Sequence, residues 1–161
     1  TRFKRNINQD VRIRGETMEL KIVNTEKELQ DAYKVRFTVF VEEQGVPEDL
    51  EIDDLEQEAL HFIGYVEEEP VAASRMRFVD SYAKMERICV LQSQRGKGFG
   101  RDILLFMEEI AKEKGMDKSK LNAQTRAEAF YQSLGYETIS GEFMDAGIPH
   151  VTMTKSIRDC H

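Results

Sequence analysis

The sequence predicts an α+β fold built on a mixed sheet, and three features carry that prediction. Short β-forming runs recur between turn residues, capped amphipathic stretches are interleaved with them, and one strand–helix–strand succession calls for a parallel step. The expected order is β-α-(α)-β-β-β-α-β-α-β-β.

Residues 18–23 alternate as a strand. Thr25 and Glu28 form a capping box. Leu29, Tyr33, Arg36, Phe37 and Phe40 then recur at helical spacing up to a stop near Gly45 and Pro47. The strongly acidic residues 48–58 read as a loop or a short second helix. Strands are expected at 60–66, 71–79 and 85–91, all antiparallel, with turns at 67–70 and 80–81. Residues 99–114 carry one apolar stripe (Ile103, Phe106, Met107, Ile110, Ala111) and end at Gly115. Strand 120–124 follows, and a right-handed crossover makes it parallel to its neighbour. A second capping box, Thr125 with Glu128, opens a helix to Leu134. After it come strand 136–139, an irregular stretch at 141–149 and a last strand at 150–154.

At 161 residues, 40% hydrophobic and 33% charged, the chain is sized and composed for one globular domain. Its net charge of -7 and the lack of a basic patch in the main body argue against nucleic acid as a partner and favour cationic ones. No apolar run approaches the ~20 residues of a membrane span. Two cysteines, Cys89 in an apolar run and Cys160 near the end, make no disulfide framework, so a reducing cytoplasm is the expected setting. Met18 reads as the natural start of a single domain over 18–157. The basic residues 1–17 read as an appended or poorly ordered extension, or as a genuine basic arm, and 158–161 as a tail.

The sharpest chemical signal is the loop Gln94-Arg-Gly-Lys-Gly-Phe-Gly100, between an apolar strand and an amphipathic helix. Glycines let successive backbone N–H groups converge, and a helix N-terminus adds unpaired donors and a positive dipole end. Such a cradle suits phosphates. Arg95, Lys97 and Arg101 add charge. Neither the Walker pattern nor G-x-x-G dinucleotide spacing fits, since Gly96, Gly98 and Gly100 are two apart. Three histidines without close Cys/His spacing give no expected metal site.

With the preceding strand Met85-Glu-Arg-Ile-Cys-Val-Leu91 and the following Phe130-Tyr-Gln-Ser-Leu-Gly-Tyr136, this loop resembles the GNAT superfamily of N-acetyltransferases over residues 18–155. Arg36-Phe-Thr-Val-Phe-Val-Glu-Glu-Gln44, Glu86–Val90, Leu121–Gln124 and Asp145–His150 resemble its ElaA/YjcF-like branch. Gln124 stands where many members carry Asn.

The resemblance implies acetyl-CoA as co-substrate, with an amine or a peptide as acceptor. Homodimers are common among such proteins. It puts Ile88, Cys89 and Val90 along the pantetheine and acetyl group. The pyrophosphate falls to Arg95, Gly96, Lys97, Gly98, Phe99, Gly100 and Arg101. Asn122 and Phe130 line the pantetheine arm. Tyr131 is the expected general acid for the departing thiolate, or else a core aromatic. Glu86 is the first choice of general base, or else the partner of Arg75, Arg77 or Arg87. Cys89 reads as a small core residue and His61 as a core histidine. Glu43, Arg75 and His150 are candidate acceptor contacts, and the 48–58 run is either an acceptor wall or a solvated loop. A non-catalytic CoA-binding or interaction module, and a nucleotide-binding regulator, are the readings from other classes.

Overall fold

The computed structural model of the chain describes residues 8–13 and 16–158. Among the described residues the strands are β1 (Asn8–Ile13), β2 (Glu16–Ile22), β3 (Leu60–Val66), β4 (Glu69–Val79), β5 (Tyr82–Val90), β6 (Lys118–Gln124), β7 (Glu137–Thr138), β8 (Phe143–Asp145) and β9 (Ile148–Ser156). They form one sheet in the order β1-β2-β3-β4-β5-β6-β9-β7, with β8 on β9. All ladders are antiparallel except β5–β6, the expected parallel step.

The helices are α1 (Glu26–Arg36), α2 (Glu48–Glu51), α3 (Phe99–Glu113) and α4 (Glu128–Ser133). The apolar stripe of α3 buries Phe99, Ile103, Phe106 and Met107 against Leu20, Phe62, Met76, Met85, Leu121 and Met153 on one sheet face. On the other face Ala32, Val35 and Val39 of the first helical run pack on Ile63, Ala73 and Cys89. Each fully buried large side chain contributes roughly 1.5–3 kcal/mol, so these two layers fix which way the sheet faces.

Several boundaries differ from the expectation for physical reasons. The break expected at Met18 falls inside β2, which pairs with β1 from Asn8↔Lys21 to Ile13↔Glu16. Residues 1–7, 14–15 and 159–161 lie outside the described residues. Helical winding runs to the Gly45 stop (φ +77°), but it widens after Arg36 into a π-helical segment, Phe37–Glu43. The Thr25 box forms: Oγ accepts from Glu28 N at 3.1 Å, and Glu28 reaches back to Asn24 N at 2.8 Å. The Thr125 box does not. Residues Thr125–Ala127 wind as a 3₁₀ turn with no side-chain cap, and Glu128 instead accepts from Thr138. The stretch read as irregular holds β8 and a tight turn through Ala146 and Gly147, both at positive φ.

Strand β5 departs most from a simple strand. Arg87 sits at φ +58°, and the β4–β5 register slips between Ala73 and Arg75, so two residues of β5 face one of β4. This bulge bends β5. The ladder to β6 runs only from Tyr82↔Lys118 to Met85↔Leu121. Beyond it the two strands part and leave the edge of residues 86–90 without a strand partner.

The capping box gives a direct test of this local reading. Thr25→Ala is expected to cost about 1 kcal/mol, seen as a lower urea midpoint at unchanged m-value.

Candidate active site

The parting strands open toward the glycine loop. Leu91 returns to β4 through its N–H to the Val71 carbonyl (2.9 Å), a 3₁₀ turn covers Gln92–Gln94, and residues 95–98 lead into α3. Gly96 and Gly98 both take φ +83°, where a side chain is strained. A Cβ on Gly96 would meet nothing within 4 Å, so backbone conformation rather than space selects glycine there. Gly98 caps α3 in this left-handed state, and its carbonyl accepts from Asp102 N at 3.0 Å. No side chain caps the helix, so the first-turn N–H groups, from Phe99 to Arg101, lack intrahelical acceptors.

The Phe99 ring is buried and anchors the loop in the core; it can offer a ligand only its N–H. A Cβ on Gly100 would stand 3.9 Å from both Val90 and Phe130, which places strand end, helix start and the Phe130 ring on one groove. Lys97 donates to Gln94 at 3.0 Å, and Arg101 is half exposed beside Asp102.

Tyr131 is half-buried, edge-on to Phe130 (ring centroids 5.0 Å) and Tyr136 (6.0 Å). Among the described residues its hydroxyl has no hydrogen-bond partner. Burial, with a smaller effect of the nearby Cys89, pushes its pKa up to about 12. Burial likewise pushes the Cys89 thiol up to about 12, which makes it a core residue and no nucleophile. Asn122 is exposed and accepts from Thr152 at 2.8 Å.

Two expected site residues are occupied elsewhere. Arg75 is 1% exposed and paired with Asp53 (2.7 Å), Glu56 (2.8 Å) and Glu86 (2.8 Å), so it has no face for an acceptor. Glu86 is held by Arg75 and by both arms of Arg77 at 3.0 Å. Burial alone would raise its pKa, but the Arg77 hydrogen bonds and the Arg75 charge outweigh burial and hold it below the usual carboxylate range. A carboxylate so tied is a poor proton acceptor. His61 is buried with Nε2 donating to the Glu56 carbonyl (2.9 Å), and burial lowers its pKa. His150 stacks on Phe143 and donates from Nδ1 to the Ile148 carbonyl (2.7 Å).

The acidic run is divided: Glu48, Asp49, Asp54 and Glu58 are exposed, and the other three acids are not. Glu51, Asp53 and Glu56 turn inward. Arg36, fully buried, pairs with Glu51 and Glu56 at 2.7 Å. Arg87 binds Glu51 (3.1 Å) and Asp53 (3.3 Å), which ties the β5 bulge to this network. A signal was present in the sequence: an arginine on the apolar stripe of α1 needs a buried carboxylate, and the acidic run that follows is the densest supply. The other unforeseen contacts come from the π-helical end. Glu43 pairs with Arg95 at 2.6 Å, and Gln44 accepts from Gln124 at 2.8 Å.

The GNAT acetyltransferase domain matches residues 22–157. The chain belongs to the GNAT acetyltransferase family. Two Bacillus subtilis relatives are each 48% identical to it. They are YyaT, an uncharacterised protein (87% of this chain, 97% of the relative), and YjcF, an uncharacterised N-acetyltransferase (86% and 99%). A crystal structure from Lactobacillus plantarum superposes with TM-score 0.82 at 28% identity, covering 87% of this chain and 98% of that one. That of Escherichia coli ElaA does so with TM-score 0.77 at 23% identity (88% and 99%). The GNAT chain is thus an acetyltransferase of the YjcF and ElaA branch. Structures of the same fold include an aminoglycoside 6'-N-acetyltransferase in complex with coenzyme A (TM-score 0.70, 13% identity; 88% of this chain, 98% of that one).

The network makes a pH-dependent prediction. The Asp53 carboxyl is opposed by burial, yet its hydrogen bond and charge interaction with Arg75 bring it from 3.8 down to about 2. A depressed acid stabilises the fold above its unfolded pKa and loses that contribution as pH falls through the folded one. Asp53→Asn is therefore expected to lose about 2 kcal/mol near neutral pH. The gap to wild type should close between pH 3.8 and about 2 in denaturant titrations.

Proposed function

We propose that this enzyme transfers an acetyl group from acetyl-CoA to a primary amine by direct attack within a ternary complex. One observation carries the reading: two left-handed glycines, an uncapped helix N-terminus and a parted strand pair meet at one groove. The main-chain donors of residues 96–101 would hold the diphosphate, with Lys97 and Arg101 adding charge. The open edge of Ile88 to Val90 would receive the pantetheine amide and the thioester carbonyl. A backbone N–H aimed at that oxygen stabilises the negative charge it gains when the amine nitrogen bonds to the carbonyl carbon.

The C–S bond then breaks, and Tyr131 protonates the departing thiolate. Matching environments favour this step. The burial that lifts the phenol to about 12 would act in the same direction on a thiolate expelled beside it, raising that thiolate's proton affinity so that it can take the phenolic proton. The amine must arrive neutral, and Glu86, locked between arginines, is unsuited to deprotonating it. Water at the open mouth is the remaining proton acceptor. A reducing compartment such as the cytoplasm suits the free Cys89.

Thiol release from acetyl-CoA, measured against a panel of amines, amino sugars, polyamines and peptides, tests the activity and finds the acceptor. Tyr131→Phe is expected to lower kcat about 100-fold while leaving calorimetric acetyl-CoA affinity intact. Unchanged turnover would remove Tyr131 from the reaction. Cofactor binding without thiol release from any acceptor would favour the non-catalytic module, and preferential binding of ATP would favour a nucleotide sensor.

A further inference from the structure

We infer that Glu43 and Arg95 act as a positioning pair that braces the mouth of the thioester channel. Arg95 then serves the reaction through the strand edge and not as a side-chain ligand of the diphosphate. The inference rests on the acetyl-CoA reading above and adds roles which that reading does not contain.

Arg95 opens the glycine loop, yet its donors point away from the loop's own N–H groups. Nη1 and Nη2 form a two-pronged contact with Glu43, each at 2.6 Å, and Nε donates to the Val90 carbonyl at 2.9 Å. Three of the five guanidinium N–H groups are therefore committed to protein acceptors. The fork is planar and matched to a carboxylate, the geometry in which such pairs are strongest. The Glu43 hydrogen bond raises the Arg95 pKa, and Arg95 lowers that of Glu43.

Val90 is the last residue of β5, in the stretch that has parted from β6. Glu43 is the last residue of the π-helical segment that faces it. The next residue reaches the other lip: Gln44 accepts from Gln124, the end of β6, at 2.8 Å, and Gln124 accepts from Arg126 at 2.9 Å. Two consecutive residues thus hold the two parted strands from one turn. A helical winding widened by one residue is the local irregularity that brings both side chains to the gap. Holding Val90 at a fixed setting matters because a donor or acceptor displaced by an ångström at the reacting carbonyl loses much of its effect.

The decisive experiment compares two thioesters: acetyl-CoA, and acetyl-pantetheine, which lacks the diphosphate. Kinetics are measured for Glu43→Gln, Arg95→Gln and the double variant, with circular dichroism confirming that each is folded. A brace predicts that each single change lowers kcat/KM about tenfold for both thioesters alike. It also predicts that the double change costs no more than either single one. A loss confined to acetyl-CoA in Arg95→Gln, with Glu43→Gln at the wild-type level, would make Arg95 a diphosphate ligand and overturn the inference. Additive losses in the double variant would overturn it as well. Wild-type protein that binds neither thioester in calorimetry would overturn the cofactor reading and the brace together.

Discussion

The molecule depends on charges taken out of water and paired there. Arg36 and Arg75 are the two largest side chains fully buried in the described structure, and carboxylates from the segment after α1 meet both. Isolated, either guanidinium would cost several kcal/mol at that depth. Paired, the network is close to neutral in net stability against an apolar replacement, but removing one partner strands the other. Its value is geometric, because few arrangements satisfy every donor and acceptor together. It fixes the path of residues 48–58, the tilt of α1 and the bend of β5 in one step.

That bend links the network to chemistry. Arg87 adopts a conformation that few non-glycine residues take, and its side chain is received by the Leu50 and Glu51 carbonyls and by Glu51 and Asp53. The strain is thus secured by the same acidic run that pairs Arg36 and Arg75. Because β5 bulges there, its ladder with β6 ends at Met85, and the unpaired edge that follows faces the glycine loop. Fold and candidate site are one construction, with apolar layers packed on both sheet faces around the place where the strands part.

Much of this was legible beforehand because it rests on local rules. Periodicity marks the strands and α3, glycines mark the stops, and the Thr25 box marks the start of α1. The glycine loop, with its family resemblance, marks the strand-to-helix turn proposed to hold the cofactor. What stayed hidden was set by distant partners. Arg75 carries the residue type of a site, yet cross-strand pairing and inward-turning acids consume it, while for Glu86 the arginine pairing was the alternative its neighbours already offered. Arg36 falls within the helical period of α1, and its partners lie fifteen and twenty residues on. The bulge has no glycine to announce it. Thr125 repeats the sequence signature of a cap, yet the chain there tightens into a 3₁₀ turn and Glu128 finds Thr138 instead.

The acidic run also shapes the chain before it folds. Seven of residues 48–58 are carboxylates. In the unfolded ensemble, without their arginines beside them, they repel one another and swell that stretch. Folding turns this local repulsion into cohesion, since Glu51, Asp53 and Glu56 gain partners only when β4, β5 and α1 are already near. Dissolved salt therefore acts unevenly: it screens the open chain's repulsion readily and reaches the dry interior pairs hardly at all. Added electrolyte relaxes the denatured form more than the native one, so this protein's tolerance of ionic strength is decided by the state in which its acids have no partners.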